Sequence, residues 1–229
     1  MQTFIQTPTN NLDDSLDFYK KLKFKVISNE NPTIVTDGKA VIEINPDRFA
    51  RAGLKIFKST WESEIRNIEK QTALIKKENE FLLSDPNGVR ISLIEGKSPI
   101  SIQREETSFG ATGNFHGVNI ETTDIAKTAR FWKDLGFAAQ MGSEEDGFIS
   151  TISEDGLGVA LMAARNCPHL FFNPSMTYFN GKQNLDVIQS IRDAGIPITE
   201  EITYFNKEGL VDNIIIRDPG GYGFFLFND

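Results

Sequence analysis

The chain is poor in the residues that most metal and redox chemistry draws on: of 229 residues, one is cysteine and two are histidine. The single Cys167 cannot close an internal disulfide, and no pair of cysteines stands at zinc-ligand spacing. Positive charge is also scarce, since 24 Lys and Arg against 32 Asp and Glu leave a formal net charge of −8. An acidic surface repels phosphate backbones, so nucleic acid is not an expected partner. No apolar run approaches the roughly 20 residues that span a bilayer, and no membrane association is expected. The opening Met1-Gln2-Thr3-Phe4 lacks the basic and apolar regions of a signal peptide. A cytoplasmic monomer or homodimer is the expectation. Gly-rich phosphate loops followed by Lys and Gly-x-Ser-x-Gly elbows are missing as well, which removes the usual nucleotide and serine-hydrolase readings.

Phenylalanine, in contrast, is abundant, with 18 copies, and suggests aromatic packing or an aromatic-lined cavity. Several of these rings stand in Ile214–Phe227, which reads as strand, tight turn and strand around Asp218-Pro219-Gly220-Gly221. An earlier copy, Phe81–Leu93, holds Asp85-Pro86-Asn87-Gly88 at the same place. The duplication extends further. Phe18-Tyr19-Lys20-Lys21-Leu22 lies over Phe131-Trp132-Lys133-Asp134-Leu135 at a constant offset of 113 residues, which also sets Asn11 on Asp124 as helix N-caps. Apolar residues at 12, 16, 19 and 22 recur at helical spacing, and short alternating runs bounded by turn residues follow. The chain reads as four units of strand, helix and three strands. Two fall in residues 1–96 and two in 114–229, with 97–113 as a linker where periodicity is lost.

A capped helix with an aromatic pair before Leu-Gly-Phe, and Asp-Pro-x-Gly with an apolar strand about 80 residues on, resembles the vicinal oxygen chelate superfamily. Its members include glyoxalase I, bleomycin-resistance proteins and extradiol dioxygenases. The first half departs from the pattern at Lys23, where Gly136 stands in the second. The resemblance implies an α+β fold in which βαβββ units pair into two curved, mostly antiparallel sheets, each around a cleft, with helices outside. In metal-using members one ligand, His or Gln, lies seven residues before the cap of the helix, and another, usually Glu, seven after the turn Asp. Those positions here are Phe4, Gly117 and Met176 on first strands, and Ser92 and Phe225 on last strands. The last-strand positions of the first and third units fall near Glu43 and at Leu161. Only Glu43 is a ligand type.

The histidines do not restore the set. His116 is one residue from the expected position, and strand alternation turns it to the opposite face unless a bulge beside Gly117 intervenes. His169, in Asn166-Cys167-Pro168-His169, reads as a loop residue. If Phe225 faces inward, strand parity lines the C-terminal cleft with Phe225, Phe227, Met176, Tyr178, Asn119 and Glu121, and His116 stands at the strand end beside it. The expectation is therefore a glyoxalase- or bleomycin-resistance-like protein without a cofactor, with a divalent metal unsupported, that binds a small apolar or aromatic molecule there. The alternative is a metal-dependent lyase or dioxygenase using an irregular set around His116 and Glu121.

Overall fold

The computed structural model describes residues 1–101 and 103–228; Ile102, inside the expected linker, and Asp229 lie outside the described residues. The first half runs β1 (Gln2–Pro8), α1 (Leu12–Lys21), β2 (Lys25–Ser28), β3 (Thr33–Thr36), β4 (Val41–Asn45), β5 (Gly53–Lys58), α2 (Glu62–Ile68), β6 (Ile75–Lys77), β7 (Glu80–Ser84) and β8 (Arg90–Glu95). The second half repeats it as β9 (Phe115–Thr122), α3 (Ile125–Asp134), β10 (Ala138–Ser143), β11 (Phe148–Ile152), β12 (Gly158–Ala163), β13 (Ser175–Phe179), α4 (Asn184–Asp193), β14 (Ile198–Ile202), β15 (Asn213–Arg217) and β16 (Gly223–Phe227). Each half forms one eight-stranded mixed sheet, in the orders β2-β3-β4-β1-β5-β8-β7-β6 and β10-β11-β12-β9-β13-β16-β15-β14. Strands pair in parallel only where the first strand of a unit meets its last: β1 with β4, β5 with β8, β9 with β12, and β13 with β16. No helix is long and apolar enough to cross a membrane among the described residues.

The helix starts follow local chemistry. Asn11 Oδ1 accepts the backbone N–H groups of Asp13 and Asp14, and Asp124 Oδ1 accepts that of Lys127, so orphan donors at both N-termini are met. After α3 the chain turns through Gly136 at φ 94°, and after α1 through Lys23 at φ 62°, a left-handed conformation that costs a residue with a Cβ.

One continuous core joins the halves, from Ile5 and Tyr19 to Trp132 and Phe224. The duplicated turns take part reciprocally. Asp218 Oδ2 accepts from Thr7 Oγ1 at 2.6 Å and Tyr19 Oη at 2.8 Å, both from the first half. Beside Asp85, Asn87 Nδ2 donates to Thr128 Oγ1 of α3 in the second half. The aromatic pair seen as a repeat is thus half of a docking device: each helix packs against the Asp-Pro turn of the other half. The described residues between β8 and β9 carry no helix or strand yet are held, since the buried Arg104 guanidinium donates to the carbonyls of Lys39, Thr3 and Asp155.

Candidate functional site

Strand alternation gives each sheet a core face and a cleft face. On the second sheet, Met176, Tyr178, Phe224 and Leu226 pack in the main core, whereas Phe225 belongs to a separate cluster with Ile202 and Ile215, flanked by Phe171, Phe172 and Phe227. Register fixes the partners. Thr177 stands opposite Gly117 on β9 and opposite Phe225 on β16, so Gly117, Thr177 and Phe225 form one line across the cleft floor. A cavity of about 560 Å³ opens above it, lined among others by Asn119, Met162, His169, Phe179, Phe205 and Phe227.

Asn119, Phe225 and Phe227 line this cavity. Met176 and Tyr178 do not: both are completely buried on the core face, with Tyr178 stacked on Phe224 at 6.1 Å. The count of seven back from the helix placed them one residue off, since Gln183, the cap of α4, stands only six residues after Thr177. Thr177 and Phe179 hold the cleft positions instead. Glu121 shares the strand face of Asn119 but sits at the rim, where its Oε1 accepts the Arg165 N–H at 3.3 Å and its backbone pairs with the Asn173 side chain. His116 occupies a bulge, since Thr177 pairs with Gly117 but Tyr178 pairs with Phe115. The bulge does not bring it into the cleft. Its ring rests edge-on against Phe179 at 5.1 Å, in a depression shared with Lys39 and Arg104. Burial, then Lys39, lowers its pKa.

The loop between β12 and β13 supplies what periodicity did not reveal. His169, 9% exposed, folds over the cleft with its ring edge-on to Phe225 at 5.1 Å and to Phe227 at 5.0 Å. Its Nδ1 lies 2.9 Å from the Leu170 carbonyl, which only accepts, so Nδ1 donates there. Cys167 also lines the cavity, and burial pushes its thiol up to about 11, which makes it a poor nucleophile.

The corresponding cleft of the first half is smaller, a pocket of about 250 Å³ lined among others by Gln6, Lys55, Leu82 and Ser92. Phe4, Ile34, Val41 and Phe57 fill one end, with the Phe4 and Phe57 rings edge-on at 5.4 Å. Glu43, buried, is paired with Lys55 and accepts from Asn45 Nδ2 at 3.3 Å, so the carboxylate singled out as a ligand type is already satisfied.

This architecture is shared with solved structures at low identity. A 2,3-dioxygenase, LapB, from Pseudomonas sp. KL28 matches 97% of this chain and 89% of its own, with a TM-score of 0.54 at 16% identity. The 2,2',3-trihydroxybiphenyl 1,2-dioxygenase of Sphingomonas wittichii strain RW1 matches 99% and 91%, with a TM-score of 0.55 at 13% identity. The fold is that of the vicinal oxygen chelate superfamily. A variant of homoprotocatechuate 2,3-dioxygenase from Brevibacterium fuscum adds a third example, at 99% of this chain, 70% of its own, a TM-score of 0.55 and 14% identity. No protein-family model and no curated protein matches the sequence.

These neighbours overturn the expectation of a chain without a cofactor, because the vicinal oxygen chelate structures it resembles are dioxygenases, the metal-using branch, and the fold implies a divalent metal. The donors of this cleft do not fit one. Gly117 has no side chain, and a Cβ there would lie 2.6 Å from the Gly158 carbonyl oxygen. Thr177 is a neutral hydroxyl and Phe225 a ring. Among the described residues no three His, Cys, Asp or Glu side chains come together as a metal site, so His116 and Glu121 do not form the irregular set expected as the alternative.

Proposed function

We propose that this chain is a small-molecule-binding protein of the vicinal oxygen chelate fold whose C-terminal cleft takes up a small aromatic or apolar molecule. The observation that carries the reading is the cavity of about 560 Å³ between Phe179, Phe225 and Phe227, with Asn119, His169 and Asn213 as its polar contacts. Stacked and edge-on rings suit a flat ligand, and a few fixed hydrogen-bonding groups suit its orientation. The proposal includes a cytoplasmic location and two structural halves, 1–96 and 114–229. A second reading, a dioxygenase or lyase of the same superfamily, is favoured by the fold neighbours, each a dioxygenase acting on its own substrate. It requires a divalent metal that the present donors do not hold, so no step is derived through one.

Calorimetric titration with phenol, catechol and toluene tests the first reading. Saturable binding that disappears in Met162→Trp, which fills the cavity, is expected; no heat from any ring compound would sink it. Oxygen uptake with catechol after loading with Fe(II) or Mn(II) is the measurement that would instead establish the second.

A further inference from the structure

Thr177 stands at the centre of the cleft floor, is completely buried, and has a hydroxyl without any hydrogen-bond partner. Ser175, two residues earlier on the same strand face, is in the same condition. A buried hydroxyl left unpaired is costly, and native proteins keep few of them. Here the orphan side chain lines the cavity, between a residue with no side chain, Gly117, and a ring, Phe225. The other polar groups lining that space, Asn119, Asn166, Asn213 and Asn228, are neutral amides, and the His169 ring stands beside them. No Lys, Arg, Asp or Glu lines it. A ligand carboxylate or phosphate would therefore lose its water with no cation to receive it.

Resting on the small-molecule reading above, we infer that the ligand is an uncharged ring bearing a hydroxyl or carbonyl group, and that the Thr177 hydroxyl is its hydrogen-bonding anchor. A threonine hydroxyl both donates and accepts, so it serves either group, and its two favoured rotamers let it turn toward the cavity. The anchor gives a role to a hydroxyl at a position where valine has the same shape.

The test titrates phenol, benzamide, benzoate and toluene into the wild type, Thr177→Val and Thr177→Ser. Phenol and benzamide should bind the wild type, and benzoate at least tenfold more weakly. Thr177→Val should weaken phenol and benzamide about tenfold, the effect of one net hydrogen bond. It should leave toluene unchanged and not lower the melting temperature of the free protein, since it removes an unpartnered group. Thr177→Ser should bind like the wild type. Unaltered phenol binding in Thr177→Val, or benzoate binding as tightly as benzamide, would overturn the inference. Toluene binding with no gain for phenol or benzamide would overturn the anchor and leave the binding reading intact. Silence from all four probes would end both.

Discussion

Gly117→Ala tests the geometry on which the reading of the cleft depends. Gly117 does not lie in the left-handed region, so alanine is allowed by the backbone, and in open space it would stabilise the fold by roughly 0.4–1 kcal/mol through the unfolded chain. The space is not open. Its Cβ would meet the Gly158 carbonyl oxygen at 2.6 Å, the carbonyl carbon at 2.9 Å and the Cα at 3.2 Å. All three are backbone atoms of the partner strand β12, so relief requires moving that strand by a fraction of an ångström. Overpacking of this kind costs about 1–3 kcal/mol. The expected outcome is a loss of ~2 kcal/mol in urea denaturation, or about 6 °C in melting temperature for a chain of this size. The sign decides: a variant as stable as the wild type, or more stable, would show that β12 does not close on β9 there. It would also reopen position 117 as a place from which a side chain can reach the cleft.

Tyr19→Phe removes one of two side-chain donors to the buried Asp218 carboxylate, a charge-assisted bond across the halves, and should cost roughly 1.5–3 kcal/mol by the same denaturation; a change below ~0.5 kcal/mol would show that the halves are held by apolar packing alone. Lys23→Gly should raise stability by about 1 kcal/mol, because φ 62° strains a lysine and suits glycine. Burial pushes Asp37 up to about 6 from 3.8, despite the Ala40 and Lys39 N–H groups that oppose it. The folded state therefore holds the proton more tightly than the unfolded state, and the stability this group contributes is fully present below about pH 4 and is lost as pH rises through 6. Two pH steps correspond to about 3 kcal/mol. Urea midpoints for wild type minus Asp37→Asn should fall across that window; a flat difference would place Asp37 in contact with water.

The fold was legible because its signals are local and written twice: a capped helix with an aromatic pair recurs 113 residues on, and a proline-glycine turn with its apolar strands recurs 133 residues on. Much of the cleft was legible by parity from Phe225. Parity failed where the chain departs from regular spacing. The cap of α4 stands six rather than seven residues after Thr177, so the count fell one residue short on Met176, although the alternation Met176, Tyr178 against Phe224, Leu226 marks the core face once strand register is known. His169 escaped because a loop has no period and its approach to Phe225 and Phe227 depends on how residues between β12 and β13 fold back. The orphan state of the Thr177 hydroxyl is a property of neighbours in space and leaves no trace in sequence.

The two clefts also show which substitution matters most. In register, Phe4, Lys55 and Ser92 of the first half occupy the places of Gly117, Thr177 and Phe225 in the second. Each line thus carries one ring, on the first strand in one half and on the last strand in the other. Aromatic content at these positions is therefore equal, yet the first-half pocket, about 250 Å³, is less than half the size of the second, about 560 Å³. Phe4 projects from β1 against Phe57, Val41 and Ile34 and narrows its own cleft from one end. Phe225 lies in a stacked row with Phe227, at 5.6 Å and 13°, against the wall formed with Ile202 and Ile215. The room in front of that row exists because position 117 contributes nothing but backbone. Phe225 accordingly shapes the wall of the C-terminal cavity, while Gly117, pressed against Gly158, keeps it open.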